Sequence, residues 1–201
     1  MSRGNSLLAI GFFLLWGCSH AIPRFGVGGR YEEGKEQFLR GRGGDMDRAI
    51  VALESVAGED PTYKETLTLL ARAYYRKGKY EDALQVSRQA LAVNKDDEIA
   101  WLVRGLTQLR LGDDEKGLET VKGAISLLSK LTANNYRGYS YWDKNGLVSV
   151  AIRRTVLSAT KGLEEKENLI RNAETLLVQI DEEEHFQRIE ARQERRRDFG
   201  G

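Results

Sequence analysis

Cysteine occurs once in the 201 residues, at Cys18, and histidine twice, at His20 and His185. One thiol excludes an intrachain disulfide, a two-cysteine metal site and a dithiol redox pair. His20 has no second ligand close to it in sequence, so no metal centre is expected. Proline is equally scarce, with only Pro23 and Pro61, which leaves long stretches free to be helical. Neither sign of charge dominates: 31 basic residues face 30 acidic ones, so the whole molecule has no electrostatic pull toward nucleic acid. The phosphate loop, H-E-x-x-H, G-x-S-x-G and the dinucleotide fingerprint are all absent. Gly26-Val27-Gly28-Gly29 precedes a helical pattern but follows no strand, so it makes a poor phosphate cradle. The pairs Asp96/Asp97 and Asp113/Asp114 lie at turns, where helix capping and solvation account for them. We therefore expect a protein that is not an enzyme and takes no cofactor, metal or small-molecule substrate.

What is present begins with an address. Arg3 is followed by an apolar run from Leu7 to Trp16 with no polar face. A positive charge followed by about ten apolar residues has the form of a secretory signal peptide, and is too short to span a bilayer as a helix. Leu15-Trp16-Gly17-Cys18 resembles the bacterial lipobox, with Trp16 departing from the small or β-branched residue usual there. The resemblance implies cleavage after Gly17, leaving residues 1–17 as a lipoprotein signal peptide, and lipid on Cys18. Two or more acyl chains hold a protein stably on a membrane, whereas one does so only marginally. Ser19, rather than aspartate, follows the cysteine, which by resemblance to enterobacterial lipoproteins implies the outer membrane, facing the periplasm. A buried N-terminal helix and an ordinary cleavage site after Ala21 are the alternatives. Residues 18–29, with Pro23 and three glycines, read as a flexible tether.

From residue 30 the chain repeats. Gly44, Gly78, Gly112 and Gly146 stand 34 residues apart. Small residues recur five places later (Ala49, Ala83, Gly117, Ala151) and again at Val56, Ala90, Ala124 and Ser158. A fixed period in this range signals a solenoid of stacked helical units. The clearest unit, residues 64–97, has Leu67, Leu70, Ala71 and Tyr74, a turn at Gly78, then Tyr80, Ala83 and Ala90. In these residues it resembles the tetratricopeptide (TPR) repeat. The small residues have a packing reason, since two helices can approach closely only where side chains are short. Residues 98–131 keep the pattern but carry Arg104 and Gln108 where apolar and aromatic residues belong; residues 30–63 keep it mainly in their second half. Residues 132–165 are a degenerate fourth copy, whose segment TANNYRGYSYWDKN reads either as a distorted helix or as an ordered loop. The expected fold is an all-α superhelix of about three to four TPR repeats.

Residues 166–201 close the array. Leu169, Ala173, Leu176 and Ile180 mark one face of a capping helix, and acidic residues 181–184 precede an arginine-rich tail, an order that suits the helix dipole and pairs such as Glu184–Arg188. Arg195-Arg196-Arg197 reads as a solvated helix end. The family resemblance implies that the first helix of each unit lines a concave, partner-binding face. Carried over by position, that face holds Arg42, Arg72, Tyr75, Arg76, Leu102, Leu106 and Arg110, with Arg42, Arg76 and Arg110 again 34 apart. The family's lysine/asparagine clamp for a C-terminal carboxylate is not matched. Two readings follow. The face holds an acidic, apolar protein or peptide partner, or the closing helix covers it and the arginines face water. The functional expectation is a lipid-anchored, non-catalytic adaptor or assembly factor of the bacterial envelope; the alternatives are a self-associating structural protein and an accessory activator of a cell-wall enzyme.

Overall fold

A computed structural model describes residues 26–129 and 142–198, apart from the side chains of Arg42 and Asp198. Among these residues the regular structure is all helical: α1 Gly26–Leu39, α2 Met46–Glu59, α3 Thr66–Arg76, α4 Tyr80–Val93, α5 Glu98–Arg110, α6 Asp114–Leu128, α7 Leu147–Lys161 and α8 Lys166–Asp198. Helices α1/α2, α3/α4 and α5/α6 pack as successive hairpins, each against the next, in an α–α solenoid.

The second helices keep the sequence period to within one residue, beginning at residues 46, 80, 114 and 147. Their small residues are where the chain packs tightest: Ala49, Ala83 and Ala124 are fully buried, and Ala90 and Ala151 nearly so. In the third hairpin the helices are so close that two glycines are required. A Cβ on Gly117 would come within 2.8 Å of the Leu109 backbone nitrogen, and one on Gly105 within 2.8 Å of that of Val121. No side chain fits there without moving a helix.

The glycine ladder divides in two. Gly78, Gly112 and Gly146 have φ of 71°, 83° and 68°; this left-handed geometry follows α3 and α5 at the first two and caps the start of α7 at the third. Gly44 has φ −101°. Helix α1 stops at Leu39, so the first turn is longer and runs through a 3-10 turn at residues 41–43, where Gly41 takes the left-handed position. Gly44 is small for another reason: a Cβ there would meet the Gln37 carbonyl.

Two expectations change. Residues 26–29, expected as the end of the tether, form the first turn of α1, because Val27 packs on the core and draws the helix back to Gly26. The capping helix does more than cover an exposed end, as the groove below shows. Of the ambiguous fourth segment, residues 132–141 lie outside the described residues. Trp142–Gly146 form a turn in which Trp142 is buried and the Asp143 carboxylate accepts from Val148 N and Ser149 N, both at 2.8 Å, starting α7.

Candidate partner-binding groove

Helices α1, α3 and α5 line the inner face of the solenoid, and α3 owes its place there to an unusual sequence. Every residue from Thr66 to Tyr75 is buried, because one side packs on α4 and the other faces the groove. Thr68 lies beneath the α5 N-terminus, donating its hydroxyl to Asp97 at 2.6 Å. Asp97 in turn accepts from Ile99 N and Ala100 N, which fixes the angle between the second and third hairpins.

The groove is filled by α8. This helix has 33 residues, about 50 Å at 1.5 Å per residue, and it crosses the inner face from the third hairpin to the first. Its contacts follow in chain order. Glu174 accepts from Arg110 at 2.6 Å and from the Tyr75 hydroxyl at 2.6 Å. Asp181 pairs with both Arg72 and Arg76. Glu184 meets Arg72 at 3.3 Å. Arg188 reaches Glu32 at 2.8 Å and Arg192 reaches Glu36 at 3.4 Å, both on α1. Beneath the central pairs the Phe38 ring lies 4.9 Å from the Arg72 guanidinium and 4.3 Å from that of Arg76. The Arg72 side chain is only 2% exposed.

The electrostatics hold Arg110 and Tyr75 in their protonated forms. Pairing with Glu174 raises the Arg110 guanidinium further above its usual range. Burial first, and then Glu174, raise the Tyr75 phenol, which stays a hydrogen-bond donor at any physiological pH. A second cluster ties α1 to α3. Burial alone would raise Glu65, but the Lys35 ammonium and the Tyr31 hydroxyl overcome it and hold the carboxyl at about 2.

Apart from Arg42, each expected groove residue has a definite place. Arg72, Tyr75, Arg76 and Arg110 do share the inner face, and all four bind carboxylates of α8. Leu102 and Leu106 are fully buried in the core and present no surface to an external molecule in this conformation. The Arg42 side chain and Cys18 lie outside the described residues. Of the two sequence readings, the closing helix covering the face is the one seen, but its arginines meet carboxylates rather than water. The residues that sequence reasoning missed are Glu174, Asp181 and Glu184. Their signal was available: at spacings of seven and three they flank the same helical face as Leu169, Ala173, Leu176 and Ile180. Glu184 and Arg188, expected to pair with each other along the helix, reach across the groove to α3 and α1.

Beside the Arg76–Asp181 pair a cavity of about 240 Å³ stays open, walled by Tyr75, Tyr80, Leu177 and Val178. No helix among the described residues is long and apolar enough to cross a membrane.

Comparison with known proteins agrees with this geometry. Residues 42–108 match a tetratricopeptide repeat family model. The chain is similar to the TPR repeat-containing protein YpiA of Bacillus subtilis, with 24% identity over 90 residues, which is 45% of this chain. That alignment spans 21% of YpiA, so the chain accounts for about a fifth of that relative's length. Among solved structures it resembles the TPR2B domain of yeast Sti1 in its pHsp70 complex. The TM-score is 0.51 with 17% identity, covering 67% of this chain and 96% of that one. The fold is a TPR solenoid. Stacked helical repeats of this kind present an extended concave surface.

Proposed function

We propose that this chain is a non-catalytic adaptor or assembly factor, held on the bacterial envelope by lipid on Cys18 and binding a protein partner through its TPR array. The observation that carries the binding half is the occupied groove. A helix already lies across α1, α3 and α5, held by aliphatic contacts and by arginine–carboxylate pairs, so the inner face is chemically a helix receptor. The envelope half rests on the lipobox resemblance around Cys18 and on Ser19 behind it, which supports an outer-membrane, periplasm-facing position.

Two measurements test the two halves. With the full chain expressed in a Gram-negative host, labelled palmitate should enter the wild type and not Cys18→Ser, which should leave the membrane fraction; equal labelling overturns the anchor. Photo-cross-linking from position 80, at the rim of the open cavity, should trap one defined envelope protein. Its absence overturns the adaptor. A self-associating structural protein is the second reading, favoured by the outward Val178, Phe186 and Ile189 of α8, which are 44%, 37% and 39% exposed. A dimer in sedimentation analysis would support it.

A further inference from the structure

We infer that the partner is an amphipathic helix carrying two carboxylates three residues apart and a third seven residues ahead of them, along one edge of an aliphatic stripe, and that α8 is its resident stand-in. The inference rests on the adaptor reading and adds the chemistry of the partner.

The groove itself fixes that chemistry. Arg72 and Arg76 stand one turn apart on α3, and Arg110 extends the row on α5. The Arg72 guanidinium lies at the bottom, on Phe38, out of water. A buried guanidinium left without an anion is strongly destabilising, so whatever displaces α8 must bring carboxylates of its own. Asp181 and Glu184, at i and i+3, match the Arg72/Arg76 step, and Glu174 matches Arg110 and Tyr75. A helix with apolar residues alone, or one with basic residues, cannot take the place.

The way α8 is seated also makes it exchangeable. Up to Ile180 its inward face is aliphatic. Beyond that point the inward residues are Asp181, Glu183, Glu184 and Gln187, while Phe186 and Ile189 point to solvent. Releasing this second half gives up ion pairs, whose attraction is largely offset by desolvation, and the Asp143 N–H bond to Glu183, but takes no aliphatic side chain of α8 out of the core. An incoming helix that repeats the carboxylates and replaces Gln187 with an aliphatic residue gains apolar area that α8 does not supply. The open cavity against Tyr75, Tyr80 and Val178 borders the Arg76–Asp181 pair and offers a foothold while α8 is still in place.

The test uses a fluorescent peptide of residues 169–187 and the full chain, read by anisotropy. Wild type should bind it at least about tenfold more weakly than Asp181→Asn/Glu184→Gln, because the groove is free only in the fraction of molecules whose α8 has left. A second variant guards against misfolding: Arg110→Glu, on a partly exposed side chain away from Arg72, should bind the wild-type peptide poorly and prefer a peptide with Glu174→Lys by a similar factor. Equal binding to wild type and the loosened double variant, binding to neither, or no preference change in Arg110→Glu overturns the inference. Conversion of the loosened variant to a dimer that refuses peptide also overturns it, in favour of a second copy's α8. An envelope protein cross-linked in the adaptor test with no peptide exchange sinks this inference alone. Peptide exchange with no cross-linked partner sinks the adaptor reading instead.

Discussion

The two halves of α8 lie in one groove but are held there by opposite physics. From Leu169 to Ile180 the inward side chains are Leu169, Ile170, Ala173, Leu176, Leu177 and Ile180, all buried, and they pack on α7 and α5. From Asp181 on, the inward side chains are charged or polar and the large apolar ones face water. The first half is a core helix. The second is a ligand that happens to be covalently attached. Aliphatic burial is favourable in any register that hides the same area, while ion pairs between buried groups contribute little net stability but demand one geometry. The first half therefore supplies adhesion and the second supplies alignment.

The largest effect should come from the adhesive half. Leu176→Ala removes a fully buried side chain and should cost about 3–5 kcal/mol in urea unfolding. A loss below about 1 kcal/mol would mean that this half is not core. In the aligning half, Asp181→Ala leaves Arg72 buried with Glu184 alone and should cost about 3 kcal/mol, at the low end for a broken buried pair. The sharpest contrast is the triple change Arg72→Met/Asp181→Leu/Glu184→Leu, which should leave stability unchanged or higher while abolishing exchange of the peptide. If it unfolds the protein, the pairs are adhesive after all.

A further expectation lies away from α8. Glu65, held at about 2, has its folded carboxyl below the unfolded value, so its contribution is complete above about pH 4.5 and is lost as pH falls toward 2. It should be on the order of 2–3 kcal/mol at neutral pH, and Glu65→Gln should flatten the acid limb of a thermal melt over that window. The smallest effect is the most telling. Phe186→Ser, although it deletes an aromatic ring, should change stability by less than about 0.5 kcal/mol, because the ring faces solvent in the seated helix.

Legibility in the sequence follows the same division. The hairpins were readable because steric demands repeat: Ala49, Ala83, Gly117 and Ala151 recur at one interval, and each sits where helices touch. The arginines of the groove were readable because they share the repeat's phase. Their carboxylate partners showed only a position beside the apolar face of α8, not what they meet, since Asp181 and Glu184 belong to no repeat and reach Arg72 over sequence separations beyond one hundred residues. Gly44 illustrates a subtler limit. It holds the ladder's spacing without its conformation, because α1 ends early and the turn is remade around Gly41. Period alone reports that a small residue is required, not why.

The path of α8 also changes how this array can fold. A linear solenoid has only neighbour contacts, so its ends fray and its units melt almost independently. Here Arg188 and Arg192 bind Glu32 and Glu36 across 156 residues of sequence, strapping the last helix to the first. That strap closes a linear chain of units into a ring of mutual support, which predicts a single cooperative transition where an open array would show several. It also raises the contact order, so the first hairpin, made earliest on the ribosome, reaches its final surroundings only after the last helix has emerged.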